Sequence, residues 1–98
     1  MDIIKTKTAS ALTLTLVGRL ETTTAPALEA VVKEELAGIT DLTFDFEKLE
    51  YVSSAGLRVL LAAQKKMNQQ GSMKVVNVNE IVREIFDITG FSEILTVI

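Results

Sequence analysis

The chain reads as a single α/β domain, residues 1–98, built on a mixed, mostly parallel sheet with one antiparallel edge and helices packed on it. Three observations predict this. Stretches that are apolar at every second position alternate with stretches whose apolar residues recur every three to four positions, the order of strands joined by helical crossovers. The first two strand-like stretches are separated by a turn near Ala9-Ser10, which supplies the antiparallel edge. A later run, "MKVVNV", is short and largely apolar, as a buried parallel strand is.

Taken in order, "IIKTKT" and "ALTLTLVG" form the hairpin, with Leu12, Leu14 and Leu16 alternating against Thr13, Thr15 and Val17, and Gly18 ends the run. "GRLETTT" is polar and turn-like. "TAPALEAVVKEELAG" has helical spacing: Leu28, Val32 and Leu36 recur at i+4, widened by Ala25 and Val31. Thr24 suits the N-cap, Pro26 the first turn and Gly38 the stop. "DLTFDFEKL" alternates again and reads as a strand. A second helix starts near Ser54, buries Leu57, Leu60, Leu61 and Met67, exposes Arg58, Lys65 and Gln69, and closes at Gly71. After "MKVVNV", Asn79 caps a third helix in which Ile81, Val82, Ile85 and Phe86 face inward, and Gly90 ends it. "EILTVI" is either a last strand or a docked tail. All three helices could lie on one sheet face, and the pattern alone does not decide what covers the other.

Composition narrows the function. A chain of 98 residues, 48% hydrophobic, can close one core without staples, since a domain of this size buries roughly two-thirds of its unfolded surface. Cysteine is absent, so neither a disulfide framework nor a thiolate metal site is expected. No apolar run approaches the roughly 20 residues of a membrane span, and the N-terminal run is too short for a signal peptide. A soluble, cytoplasmic protein is the expectation. Net charge is −3 and the pI about 4.9, with no basic stripe, so nucleic acid is not an expected partner. Histidine is absent, which removes the commonest general base and the commonest metal ligand together.

Against this background "LEYVSSAGLRVLL", residues 49–61, stands out, because Ser53, Ser54, Ala55 and Gly56 interrupt an apolar pattern. A nucleophile elbow needs glycines two positions either side of the serine, and around Ser54 those positions hold Val52 and Gly56. With no histidine to activate the hydroxyl, hydrolase chemistry is not expected. No phosphate-binding glycine loop with its lysine is present. Asp45 and Glu47 share a strand face, but hard cations want more convergent oxygens, and a solvated strand end accounts for the pair. No metal or cofactor is expected. On the residues alone, two readings of the double serine stay open: a helix cap, or a site of modification at a helix N-terminus, where an anion is favoured.

Over nearly its whole length the chain resembles the anti-sigma factor antagonists of the STAS domain family. The resemblance begins at "LTLTLVGRLETTTAPALEAVV", continues through "LTFDFEKLEYVSSAGLRVLL" and ends at "VNEIVREIFDITGFSEIL". The middle segment is the most specific. The family pattern there is commonly D-S-[ST]-G-L, with the serine after the aspartate phosphorylated by a partner kinase that is also the anti-sigma factor. Ser54 stands at that serine, Ala55 at the small residue and Gly56-Leu57 at the closing pair, while Ser53 replaces the aspartate. Two adjacent hydroxyls result, and only Ser54 matches the acceptor.

The resemblance implies a non-enzymatic switch. The protein would bind an anti-sigma factor serine kinase, release a sigma factor, and be turned off by phosphate on Ser54. It implies a partner surface of Glu21 and Thr22, before the first helix, with Ser53, Ala55, Gly56 and Arg58. It leaves room for a serine phosphatase. Two alternatives stand beside it: a non-phosphorylated STAS accessory subunit of a membrane transport complex, and a sensor that takes a nucleotide or lipid in a sheet–helix crevice.

Overall fold

In a computed structural model, which describes all of residues 1–98, the element order is β1 (Asp2–Thr8), β2 (Ala11–Leu20), α1 (Ala25–Glu35), β3 (Asp41–Val52), α2 (Ser54–Gln70), β4 (Ser72–Val76) and α3 (Glu80–Thr89), followed by a 3-10 turn at Phe91–Glu93. The strands form one sheet in the order β1-β2-β3-β4, with β1 antiparallel to β2 and the other pairings parallel. The expected mixed sheet with an antiparallel edge is therefore present.

The pleat decides which residues build the core. In register, Leu12, Leu42 and Met73 form one row across three strands, and Leu14, Phe44 and Val75 form the next. All six are buried, and the buried apolar side chains of α1, α2 and α3 join them in a single cluster. Phe46 meets Phe44 edge-on, with ring centroids 6.0 Å apart, and Phe86 of α3 at 6.4 Å. On the opposite pleat Thr13, Thr15, Thr43 and Asp45 are only half-buried. The helices thus share one face, and the other is a polar, threonine-rich surface that needs no apolar cover.

Several local expectations change. Gly18 does not end β2, which continues to Leu20. The glycine takes φ +109°, a region open to it for want of a Cβ, between two register shifts that flank it. β3 likewise runs to Val52, three residues past "DLTFDFEKL". Ile81 is not inward: it is 60% exposed, because Val82 and Phe86 already fill the space between α3 and the sheet. Ile85 and Leu61 are only half-buried. Leu57, Leu60 and Met67 are buried as expected. The C-terminal segment is a docked tail that adds one parallel bridge, Val97 to Val75, with the Ile98 N–H donating to the Val75 carbonyl at 3.0 Å.

Candidate functional site

β2 and β3 are parallel neighbours, so their C-terminal ends and the loops that follow lie together. Leu20 pairs with Val52, and the Ser53 N–H donates to the Leu20 carbonyl at 2.8 Å. This places Glu21 and the Ser53–Gly56 segment at the same end of the sheet, 32 residues apart in the chain but joined through one backbone hydrogen bond.

The turn from β2 to α1 is fixed by Thr24. Its hydroxyl accepts from the Glu21 N–H at 2.9 Å and donates to the Arg19 carbonyl at 2.8 Å. Thr24 occupies the N-cap position as expected, yet its side chain makes no cap bond to the helix. That hydroxyl is committed backwards, to the end of β2. Arg19 Nε donates to Glu21 Oε2 at 2.9 Å, and its guanidinium lies 4.6 Å from the centre of the Tyr51 ring. The hydrogen bond to Glu21 holds the Arg19 guanidinium protonated beyond its ordinary range. Glu21 is therefore half-buried and oriented, not a free loop acid.

The two serines separate into different roles. Ser53, extended at φ −88° and ψ 173°, is the N-cap of α2, and its hydroxyl accepts from the Gly56 N–H at 3.4 Å. Of the two serines open to the capping reading, Ser53 takes that role. Ser54 is the first helical residue and is exposed, and the earliest N–H to bond back along the helix is that of Leu57, to the Ser53 carbonyl at 2.9 Å. The Ser54 hydroxyl thus stands in solvent at the positive end of a 17-residue helix.

Gly56 is buried, and its reason is packing. A Cβ there would lie 2.6 Å from Leu20 Cγ and 3.1 Å from Val52 Cγ1. Its lack of a side chain lets the first turn of α2 sit directly on the ends of β2 and β3, which sets the height of Ser54 above the sheet. Gly56 therefore shapes the site from beneath and offers no surface of its own.

Between α1 and α2 runs an open groove of about 190 Å³, lined by Thr22, Ala25, Pro26, Glu29, Ala55, Arg58 and Val59. It unites Thr22, Ala55 and Arg58, three of the residues singled out in the sequence. Ala25, Pro26, Glu29 and Val59 were missed. Their signal was present: Thr22, Ala25 and Glu29 share one face of α1 and its lead-in, and Ala55, Arg58 and Val59 share one face of α2. Which two faces would meet depends on helix packing, which spacing within one helix does not state. Asp45, weighed as half of a metal pair, accepts from the Glu47 N–H and from Asn77 Nδ2, both at 3.0 Å. It ties β3 to the turn before α3.

The structure is thus a small mixed sheet with its helices on one face and an exposed serine at the N-terminus of α2. The STAS domain model matches residues 2–98, and the chain belongs to that family. It is 37% identical over 82 residues to BtrV of Bordetella bronchiseptica, named as an anti-sigma factor antagonist, an alignment covering 82% of this chain and 71% of that one. Among solved structures, an anti-sigma factor antagonist from Mycobacterium paratuberculosis superposes with a TM-score of 0.88 at 23% identity, over 98% of this chain and 83% of the other. The Bacillus cell fate determinant SpoIIAA in its phosphorylated form gives 0.77 at 17% identity, over 99% and 91%. At these identities the two structures speak for the fold. No helix is long and apolar enough to cross a membrane.

Proposed function

We propose that this protein is an anti-sigma factor antagonist: it binds an anti-sigma factor serine kinase, so that a sigma factor is released, and phosphorylation of Ser54 ends the binding. It is a substrate and binding module, and its relatives are regulatory proteins. The observation that carries this reading is the division of labour at the start of α2. Ser53 caps the helix, which leaves Ser54 exposed, unbonded and free to react. Its hydroxyl oxygen would take the γ-phosphoryl group of ATP, losing its proton and leaving ADP.

The partner surface we assign runs from Glu21 and Thr22 across the groove to Ala55 and Arg58, with Ser53 and Ser54 at its edge and Gly56 as its floor. Phosphate adds about −1.5 to −2 charges. The first turn of α2 can accept that charge in solvent, because its first N–H groups point at it. A partner that packs over Ser54 would have to desolvate the charge, and binding is lost. The named relatives do not favour the transport-subunit alternative.

The test is to incubate the purified protein with its cognate anti-sigma factor kinase and ATP, and to map the label by mass. One phosphate on Ser54, with loss of the complex, is the expected result. Label on Ser53, or none from a kinase active on other substrates, would overturn the switch.

A further inference from the structure

We propose that Arg58 is the intramolecular receptor of the phosphate on Ser54, holding it over the first turn of α2. The inference rests on the reading of Ser54 as the modified residue. Arg58 follows Ser54 by four positions, and side chains so spaced are neighbours on a helix, with Cβ atoms about 5–6 Å apart. Helical side chains lean toward the N-terminus, which points the Arg58 stem at Ser54 rather than away from it.

The guanidinium is available. Arg58 is exposed and belongs to none of the three ion pairs in the structure. The acid that shares its groove, Glu29, is paired instead with Lys33 at 3.7 Å. Arg19 is engaged by Glu21 and Tyr51, and the remaining cations of α2, Lys65 and Lys66, lie about two turns beyond Arg58. A guanidinium can donate two parallel hydrogen bonds to phosphate oxygens, which a lysine ammonium does not reproduce. Before modification the Ser54–Arg58 pair presents a net positive charge beside the groove. Afterwards the same two residues form a closed, net-negative pair, and Arg58 is no longer free to meet a partner.

The experiment uses protein carrying phosphoserine installed at position 54 during translation, so no kinase is involved. The second ionisation of the phosphate, ordinarily near pH 6, is followed by phosphorus NMR in the parent, R58K and R58Q. Arg58 favours the dianion, so its midpoint should be lowest in the parent. R58Q should raise it by about 0.3, the scale of one charged neighbour a turn away, with R58K in between. The difference should shrink in 1 M salt, where the screening length falls to roughly 3 Å. Coincident midpoints in parent and R58Q overturn the proposal. Because the phosphate is installed directly, a kinase that fails to label Ser54 would overturn the preceding reading without moving this measurement.

Discussion

Replacing Ser53 and Ser54 by alanine, one at a time, should separate two hydroxyls that the sequence leaves adjacent and alike. Ser53 satisfies an N–H of the first turn, at 3.4 Å, and removing an N-cap serine costs about 0.5–2 kcal/mol. The bond is long, so the lower end of that range applies, about 0.5–1 kcal/mol. In a domain of this size 1 kcal/mol moves Tm by roughly 4–8 °C, so Ser53→Ala should lower it by about 2–8 °C. Ser54 is exposed and bonds to nothing, so Ser54→Ala should stay within about 0.5 kcal/mol of the parent. It should nonetheless bind the kinase whether or not ATP is present. Ser54→Asp should gain about 0.3–1 kcal/mol from the helix dipole and yet bind the partner more weakly. Thermal unfolding, set beside binding isotherms for the same proteins, reads both axes. Equal losses of stability for the two alanine variants would refute the assignment of the cap to Ser53. Full binding by Ser54→Asp would refute the argument that charge at this position expels the partner.

Four further outcomes follow from the packing and the site. Leu60→Ala, at a fully buried position, should cost about 2–5 kcal/mol in a denaturant titration. Gly56→Ala should cost about 1–3 kcal/mol from overpacking against Leu20, offset by up to about 1 kcal/mol of helix propensity, and Leu20→Ala should recover part of the clash in a double-mutant cycle. On α3, Phe86→Ala should cost about 3–5 kcal/mol while Ile81→Ser, one of the exposed isoleucines, should stay within about 0.5 kcal/mol; equal costs would put Ile81 back in the core. Glu21→Lys breaks the bond to Arg19 and places two cations together, so it should weaken kinase binding in an isotherm while the circular dichroism spectrum is unchanged.

Sequence alone determined the element order, the antiparallel first edge and most of the core, because these follow from local periodicities. A strand that alternates leucine with threonine can only bury its leucines, and a helix with leucines four apart can only bury that stripe. It also marked Ser54, by resemblance, and drew attention to Glu21, Thr22, Ala55 and Arg58, but as separate points on a line. Tertiary structure decided how those points meet. The parallel pairing of β2 and β3 brought Glu21 beside Ser53. The packing of α1 on α2 made one groove from two unremarkable helix faces and drew in Ala25, Pro26, Glu29 and Val59. Backbone geometry settled which of two neighbouring serines caps the helix: Ser53 stays extended and can fold its hydroxyl back onto the Gly56 N–H, whereas Ser54 is already helical and points outward. The width of an apolar stripe, as at Ile81, likewise states only what could be buried. How much of it is buried depends on the space the sheet leaves, and Val82 and Phe86 had already taken it.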